Sequence, residues 1–186
     1  AHNVYGYYRA PGELYRAFMD WEKKYHGYAV KEDWIRFAPG VVQSIYWLLE
    51  ILTKPGDGVV ILEPVYYPFR NAIRETDRTV CPVPLINEGG RYRIDYDAFE
   101  RTIVESGAKV HIMCSPHNPV GRVWRREEIK RVLDICRDHG VVVIADEIHQ
   151  DLVVQEAECG GENPFRENIA AATAGEPGEY DSLLIT

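Results

Sequence analysis

No stretch of this sequence stays apolar for the ~18 residues that a membrane-spanning helix needs. The densest run, Val41 to Leu52, is broken by Gln43, Ser44 and Glu50. Basic residues are in deficit, with 21 Lys and Arg against 29 Asp and Glu and a formal net charge of −8. That balance argues against nucleic acid or an anionic membrane as the main partner. No G-x-G-x-x-G opens a helix, which disfavours a nucleotide-dependent dehydrogenase. Cys81, Cys114, Cys136 and Cys159 are far apart and form no C-x-x-C metal or redox pair. They read as reduced, packed thiols of a cytoplasmic protein. A metal site built from His117, Asp146 and His149 is poorly spaced, so none is expected. The opening Ala1-His2-Asn3-Val4-Tyr5 lacks the charged and apolar regions of a signal peptide. There is no internal repeat and no low-complexity tract.

What is present fits a globular chain of about one domain. Of its 186 residues 46% are hydrophobic and 27% charged, which excludes disordered and fibrous classes. Leu14, Phe18, Trp21 and Tyr25 recur at helical spacing between Pro11-Gly12 and Gly27. Trp34 to Phe37 reads as a short extended piece. Val41 to Thr53 is apolar nearly all round and predicts a buried helix. After the turn Pro55-Gly56-Asp57-Gly58, strands and helices alternate. Strands are expected at Val59 to Leu62, Thr79 to Val83, Lys109 to Cys114, Val141 to Ala145 and Leu183 to Ile185. Helices are expected at Tyr67 to Glu75, from an Asp95 cap through Glu105, at Glu127 to His139 closed by Gly140, and at Asn168 to Ala174. The alternation implies an α/β fold, a three-layer arrangement of a mostly parallel sheet with helices on both faces.

Ligands of such sheets bind beyond the carboxyl ends of the strands. Three of those ends carry polar or aromatic residues: Glu63-Pro64-Val65-Tyr66-Tyr67-Pro68, Cys114-Ser115-Pro116-His117-Asn118-Pro119-Val120-Gly121, and Asp146-Glu147-Ile148-His149. Gly40-Val41-Val42 starts a helix whose free N–H groups form a potential anion seat. Phosphate seat, flat aromatic, amide and carboxylate together suit a planar, cationic, phosphorylated heterocycle. Pyridoxal 5′-phosphate fits that description, with Asp as partner of its ring nitrogen. Taken singly, the residues have plainer readings: Asp146 a helix N-cap, Tyr66 a packing aromatic, Asn118 a turn residue, His149 a structural helix residue, and Gly40-Val41-Val42 an ordinary helix start.

Five ordered motifs carry a resemblance: Ala38-Pro39-Gly40-Val41-Val42, Lys54-Pro55-Gly56-Asp57, Glu63-Pro64-Val65-Tyr66, Cys114 through Trp124, and Asp146-Glu147-Ile148-His149. On these, the chain resembles the fold-type I pyridoxal-phosphate enzymes, the aminotransferase class I/II superfamily. The ending Asp-Glu-Ile-His, where most aminotransferases of the superfamily place Tyr, favours the cystathionine β-lyase-like C–S lyase branch. The resemblance implies a large cofactor-binding domain. Val41 and Val42 would bind the cofactor phosphate through backbone N–H groups, Tyr66 would stack on the ring, Asn118 would bond the ring oxygen, and Asp146 would pair with the ring nitrogen. His149 would lie beside the ring oxygen or back up Asp146. Tyr7 would reach the phosphate of a neighbouring subunit, making the active site a property of a homodimer.

The implied activity is α,β-elimination of cystathionine or another cysteine S-conjugate to a thiol, pyruvate and ammonia. Transamination of an amino-acid substrate is the alternative, and a non-catalytic cofactor-binding or regulatory domain a second. The family also needs a Schiff-base Lys. Lys23, Lys24, Lys31, Lys54, Lys109 and Lys130 match no such motif, so that Lys is expected a few residues beyond Thr186. The family's N-terminal arm and C-terminal small domain are likewise expected outside these 186 residues, leaving an incomplete large domain that alone should not catalyse.

Overall fold

A computed structural model describes residues 9–152 and the backbone of 182–185. Tyr7, Cys159 and the helix expected at Asn168 to Ala174 lie outside the described residues.

The helical repeat after Pro11 forms α1 (Gly12–Trp21). Its last turn widens into a π-turn over Glu22–His26, which ends at Gly27 with φ 72°. Glycine takes that left-handed conformation at no steric cost. The single long helix expected here is therefore an α-helix and a π-turn. No residue of α1 is buried, so its apolar face stays open among the described residues. A 3₁₀ turn occupies Glu32–Trp34, and extended backbone starts only at Ile35, one residue later than expected.

The chain then builds α2 (Val41–Leu52), β1 (Gly58–Glu63), α3 (Tyr67–Glu75) and β2 (Thr79–Pro84). A short antiparallel hairpin, β3 (Ile86–Glu88) and β4 (Arg91–Arg93), follows. It was not expected, because three-residue strands are too short to show alternation. Next come α4 (Tyr96–Ser106), β5 (Val110–Cys114), α5 (Arg126–Asp138), β6 (Val142–Asp146), a 3₁₀ turn at Gln150–Leu152, and β7 (Ser182–Ile185). Asp95 caps α4 as expected, its side chain accepting the Ala98 N–H at 3.0 Å.

Among the described residues the main sheet has the order β2-β1-β5-β6-β7, every pair parallel. Successive side chains of a strand point to opposite faces, and the core divides accordingly. Val60, Leu62, Met113, Val143 and Ala145 pack with Phe99 and Ile103 of α4 and with Ile129, Val132, Leu133 and Cys136 of α5. Val59, Ile61, Val110, Ile112, Cys114 and Ile144 pack with Ile45 and Leu49 of α2 and with Phe69, Ala72 and Ile73 of α3. Cover on both faces explains why Val59 to Leu62 of β1 and Val142 to Ala145 of β6 read as unbroken apolar runs. Fully burying one such side chain stabilises by about 1.5–3 kcal/mol.

One expectation about α2 is corrected. Only Ile45 and Leu49 are buried in it, while Trp47 is 43% and Ile51 76% exposed. The helix lies on one face of the sheet, and only the i, i+4 stripe meets that face.

Candidate active site

The order of strands reverses between β1 and β5: β2 lies on one side of β1 and β5 on the other. Connections leave in opposite directions there, and a crevice opens beyond the strand ends. A pocket of about 720 Å³ occupies this place, lined by the start of α2 (Pro39 to Gln43), Tyr66, Cys114, Asn118, Asp146, Ile148 and His149.

Each wall has a local cause. Gly40 precedes α2, and no side chain caps the helix. The first N–H groups of a helix have no intrahelical partner, so those of Val41, Val42 and Gln43 face the pocket end with the positive end of the helix dipole. Tyr66 precedes α3, which has proline in its first turn. Its ring meets Phe69 edge-on at 6.0 Å between centroids and remains 36% exposed. Glu63, also expected at this edge, is absent from the lining and accepts a hydrogen bond from Arg70 Nε at 3.0 Å.

Cys114 and Asp146 are register partners on β5 and β6, so their side chains share a face. Asp146 is 4% exposed. Its Oδ1 accepts the Ile148 N–H at 3.2 Å, folding the chain back over its own carboxylate. It is an Asx-turn residue, not the cap of an α-helix. Burial pushes this carboxyl above the ordinary value, against the pull of the Ile148 N–H and the charge of His149. The Cys114 thiol is pushed up to about 12, by burial first and then by the negative charge of Asp146. It stays protonated, with Sγ 3.2 Å from the Pro116 carbonyl oxygen.

His117 is buried and bridges two walls of the pocket. Its ring nitrogens lie 3.3 Å from the Cys114 carbonyl and 3.0 Å from the Pro64 carbonyl. Burial lowers its pKa, against the raising effect of the Pro64, Cys114 and Leu62 carbonyls. With its proton on Nε2, the neutral imidazole donates to the Pro64 carbonyl and so ties the loop after β1, with Tyr66, to the loop after β5, with Asn118. The Trp124 indole N–H also donates to the Cys114 carbonyl at 3.0 Å. Sequence spacing could not find this bridge, because Pro64 and His117 are 53 residues apart.

The structure brings Val41, Val42, Tyr66, Asn118, Asp146 and His149 to one pocket. Tyr7 lies outside the described residues. A buried carboxylate is retained when a positive partner offsets its desolvation, and among the described residues the lining contains no Lys or Arg. An uncapped helix start and a buried carboxylate in one pocket suit a ligand that is anionic at one end and cationic at the other.

The family profile for aminotransferase class I and II matches residues 1–175. The chain belongs to this family. Among relatives, cystathionine beta-lyase PatB of Bacillus subtilis is 36% identical over 82% of this chain and 40% of that protein. Cystalysin from Treponema denticola, whose crystal structure contains a pyridoxal 5′-phosphate cofactor, superposes with a TM-score of 0.81 at 37% identity, covering 84% of this chain and 40% of that one. The pyridoxal-phosphate-bound C–S lyase from Staphylococcus hominis gives a TM-score of 0.84 at 30% identity, over 93% of this chain and 43% of that one. The chain spans about two-fifths of the length of these family members. Among the described residues, no helix is long and apolar enough to cross a membrane.

Proposed function

We propose that this chain is the cofactor-binding part of a pyridoxal-phosphate-dependent C–S β-lyase, which cleaves cystathionine or a related cysteine S-conjugate to a thiol, pyruvate and ammonia. The observation that carries this reading is the pairing, in one pocket, of the uncapped α2 start with the buried Asp146 carboxylate. When bound, pyridoxal 5′-phosphate supplies a conjugated cationic ring that takes up the negative charge left at a substrate α carbon.

The chain's own residues then have separate tasks. The Val41 and Val42 N–H groups hold the phosphate, helped by the helix dipole. Tyr66 covers one face of the ring and excludes water from it. Asn118 donates its amide N–H to the ring oxygen. Asp146 keeps the proton on the ring nitrogen, and burial strengthens that contact. His149 backs up Asp146, consistent with the electrostatic contact between the two. Tyr7 reaches the partner's cofactor in a cytoplasmic homodimer.

Transamination is the second reading, favoured by the family's own description. The experiment uses the full-length protein with added cofactor and cystathionine. Pyruvate and ammonia released without any keto acid support elimination; amino-group transfer that depends on a keto acid establishes the alternative. Asp146→Asn should weaken cofactor binding, measured by equilibrium dialysis. Unchanged binding in that variant would remove Asp146 from the proposed role.

A further inference from the structure

The Asp146-to-His149 segment is held from both ends. On the strand side, the Ser115 N–H donates to the Asp146 carbonyl at 3.0 Å. On the far side lies the 3₁₀ turn Gln150–Leu152, closed by Gln150 N–H to Glu147 carbonyl at 2.8 Å and Leu152 N–H to His149 carbonyl at 2.9 Å. That turn is otherwise exposed, with Leu152 at 67%.

Side chains from the end of α1 and its π-turn grip it. The Trp21 indole N–H donates to both Asp151 carboxylate oxygens, at 3.1 and 3.2 Å. His26 Nε2 lies 2.8 Å from Asp151 Oδ1. Gln150 Nε2 donates to Glu22 Oε1 at 2.9 Å. Glu22 and His26 are 1% and 5% exposed, although a Glu is seldom fully buried unless it is paired. The π-turn puts them there: one extra residue in the turn rotates the following side chains relative to an α-helix, and such turns are common at functional places. Tyr28 lies close enough to both Glu22 and Glu147 for their charges to raise its pKa, after burial. The same cluster therefore reaches back to the residue beside Asp146.

We propose that Trp21, Glu22 and His26 are positioning residues for the pocket: by clamping Gln150 and Asp151 they set where Asp146 and His149 stand toward the bound cofactor. This inference rests on the reading of the pocket as a pyridoxal-phosphate site. Trp21 is not in the pocket lining, so its effect passes through Asp151. The contacts span 125 to 130 residues of sequence. They join the start of the chain to the segment after β6.

The test uses the full-length protein and three variants: Trp21→Phe, which removes one donor and keeps the ring; Asp151→Ala, which removes the acceptor; and Asp151→Asn, which restores an acceptor oxygen without charge. Cofactor dissociation constants, the absorption maximum of the bound cofactor and the melting temperature of the cofactor-free protein are measured for each. Asp151→Ala is expected to weaken cofactor binding about tenfold, the size of effect typical when a supporting partner is lost behind a binding site. Trp21→Phe should weaken it less, and both should move the absorption maximum, while Asp151→Asn recovers part of the affinity. Wild-type affinity and spectrum in both Trp21→Phe and Asp151→Ala overturn the proposal. So does a loss that follows melting temperature alone with an unmoved spectrum, because that is a merely structural role. If Asp151→Ala does not fold, Trp21→Phe decides by the same criteria. Failure of the wild-type protein to bind the cofactor would instead overturn the pocket reading itself.

Discussion

Acidification should destabilise this fold through one histidine in the middle of the sheet. His111 on β5 is fully buried, its ring edge-on to Phe99 at 4.9 Å between centroids. Nδ1 lies 3.1 Å from the Val60 carbonyl, while Nε2 has no hydrogen-bond partner among the described residues. This arrangement suits one tautomer of the neutral ring, with the proton on Nδ1 donated to Val60. A second proton would place a charge in the core with nothing to receive it, so burial lowers the pKa from 6.5 to about 4. The folded value lies below the unfolded one. The unfolded chain therefore binds more protons between these values, and stability falls as pH falls. The contribution is fully present above pH ~6.5 and is lost progressively toward pH ~4. With those two values, linkage gives a loss of about 2 kcal/mol by pH ~5 relative to pH ~7.5. The assay is urea unfolding of the full-length, cofactor-free protein at both pH values, in wild type and in His111→Gln. Gln keeps a donor for Val60 but cannot titrate. Carboxylates contribute equally to both proteins, so the difference isolates His111. The pH-dependent loss should be smaller by about 2 kcal/mol in the variant. Equal losses in the two proteins would refute the reasoning.

Gly58→Ala should destabilise by about 1–3 kcal/mol, because the added Cβ would stand 3.0 Å from Cys81 Sγ and 3.2 Å from Ala108 Cα; an unchanged urea midpoint would contradict this close approach. Cys114 should resist alkylation at pH ~8 in the native protein. With its thiol pushed up to about 12 from 9.0, thiolate is scarcer by roughly a thousandfold than in the unfolded chain. Peptide mapping of iodoacetamide-treated protein in buffer and in urea checks this, and similar rates in both would count against it.

Much of the fold was legible because it rests on local pattern. Hydrophobic period and the turn at Pro55 to Gly58 marked the strands and helices to within a residue or two, and the Asp95 cap was readable from residue type alone. The π-turn was not, since Glu22 and His26 look like solvent-facing residues until a partner 125 or more positions away is brought to them. The hairpin of β3 and β4 was too short to show a period.

Local residue pattern was enough to give the mostly parallel α/β class, the apolar strands and the chemistry present at three strand ends. The three-dimensional arrangement was needed to show that β1, β5 and β6 are neighbours, so that Tyr66, Asn118 and Asp146 share one pocket while Glu63 turns to Arg70. It also decided that α2 buries a single stripe, that His117 bridges two pocket walls, and that Trp21, Glu22 and His26 clamp the turn after His149. The physical reason is range. Period, turns and caps depend on residues a few positions apart. Strand order and buried polar pairing depend on which distant surfaces meet, and a one-dimensional pattern does not contain that.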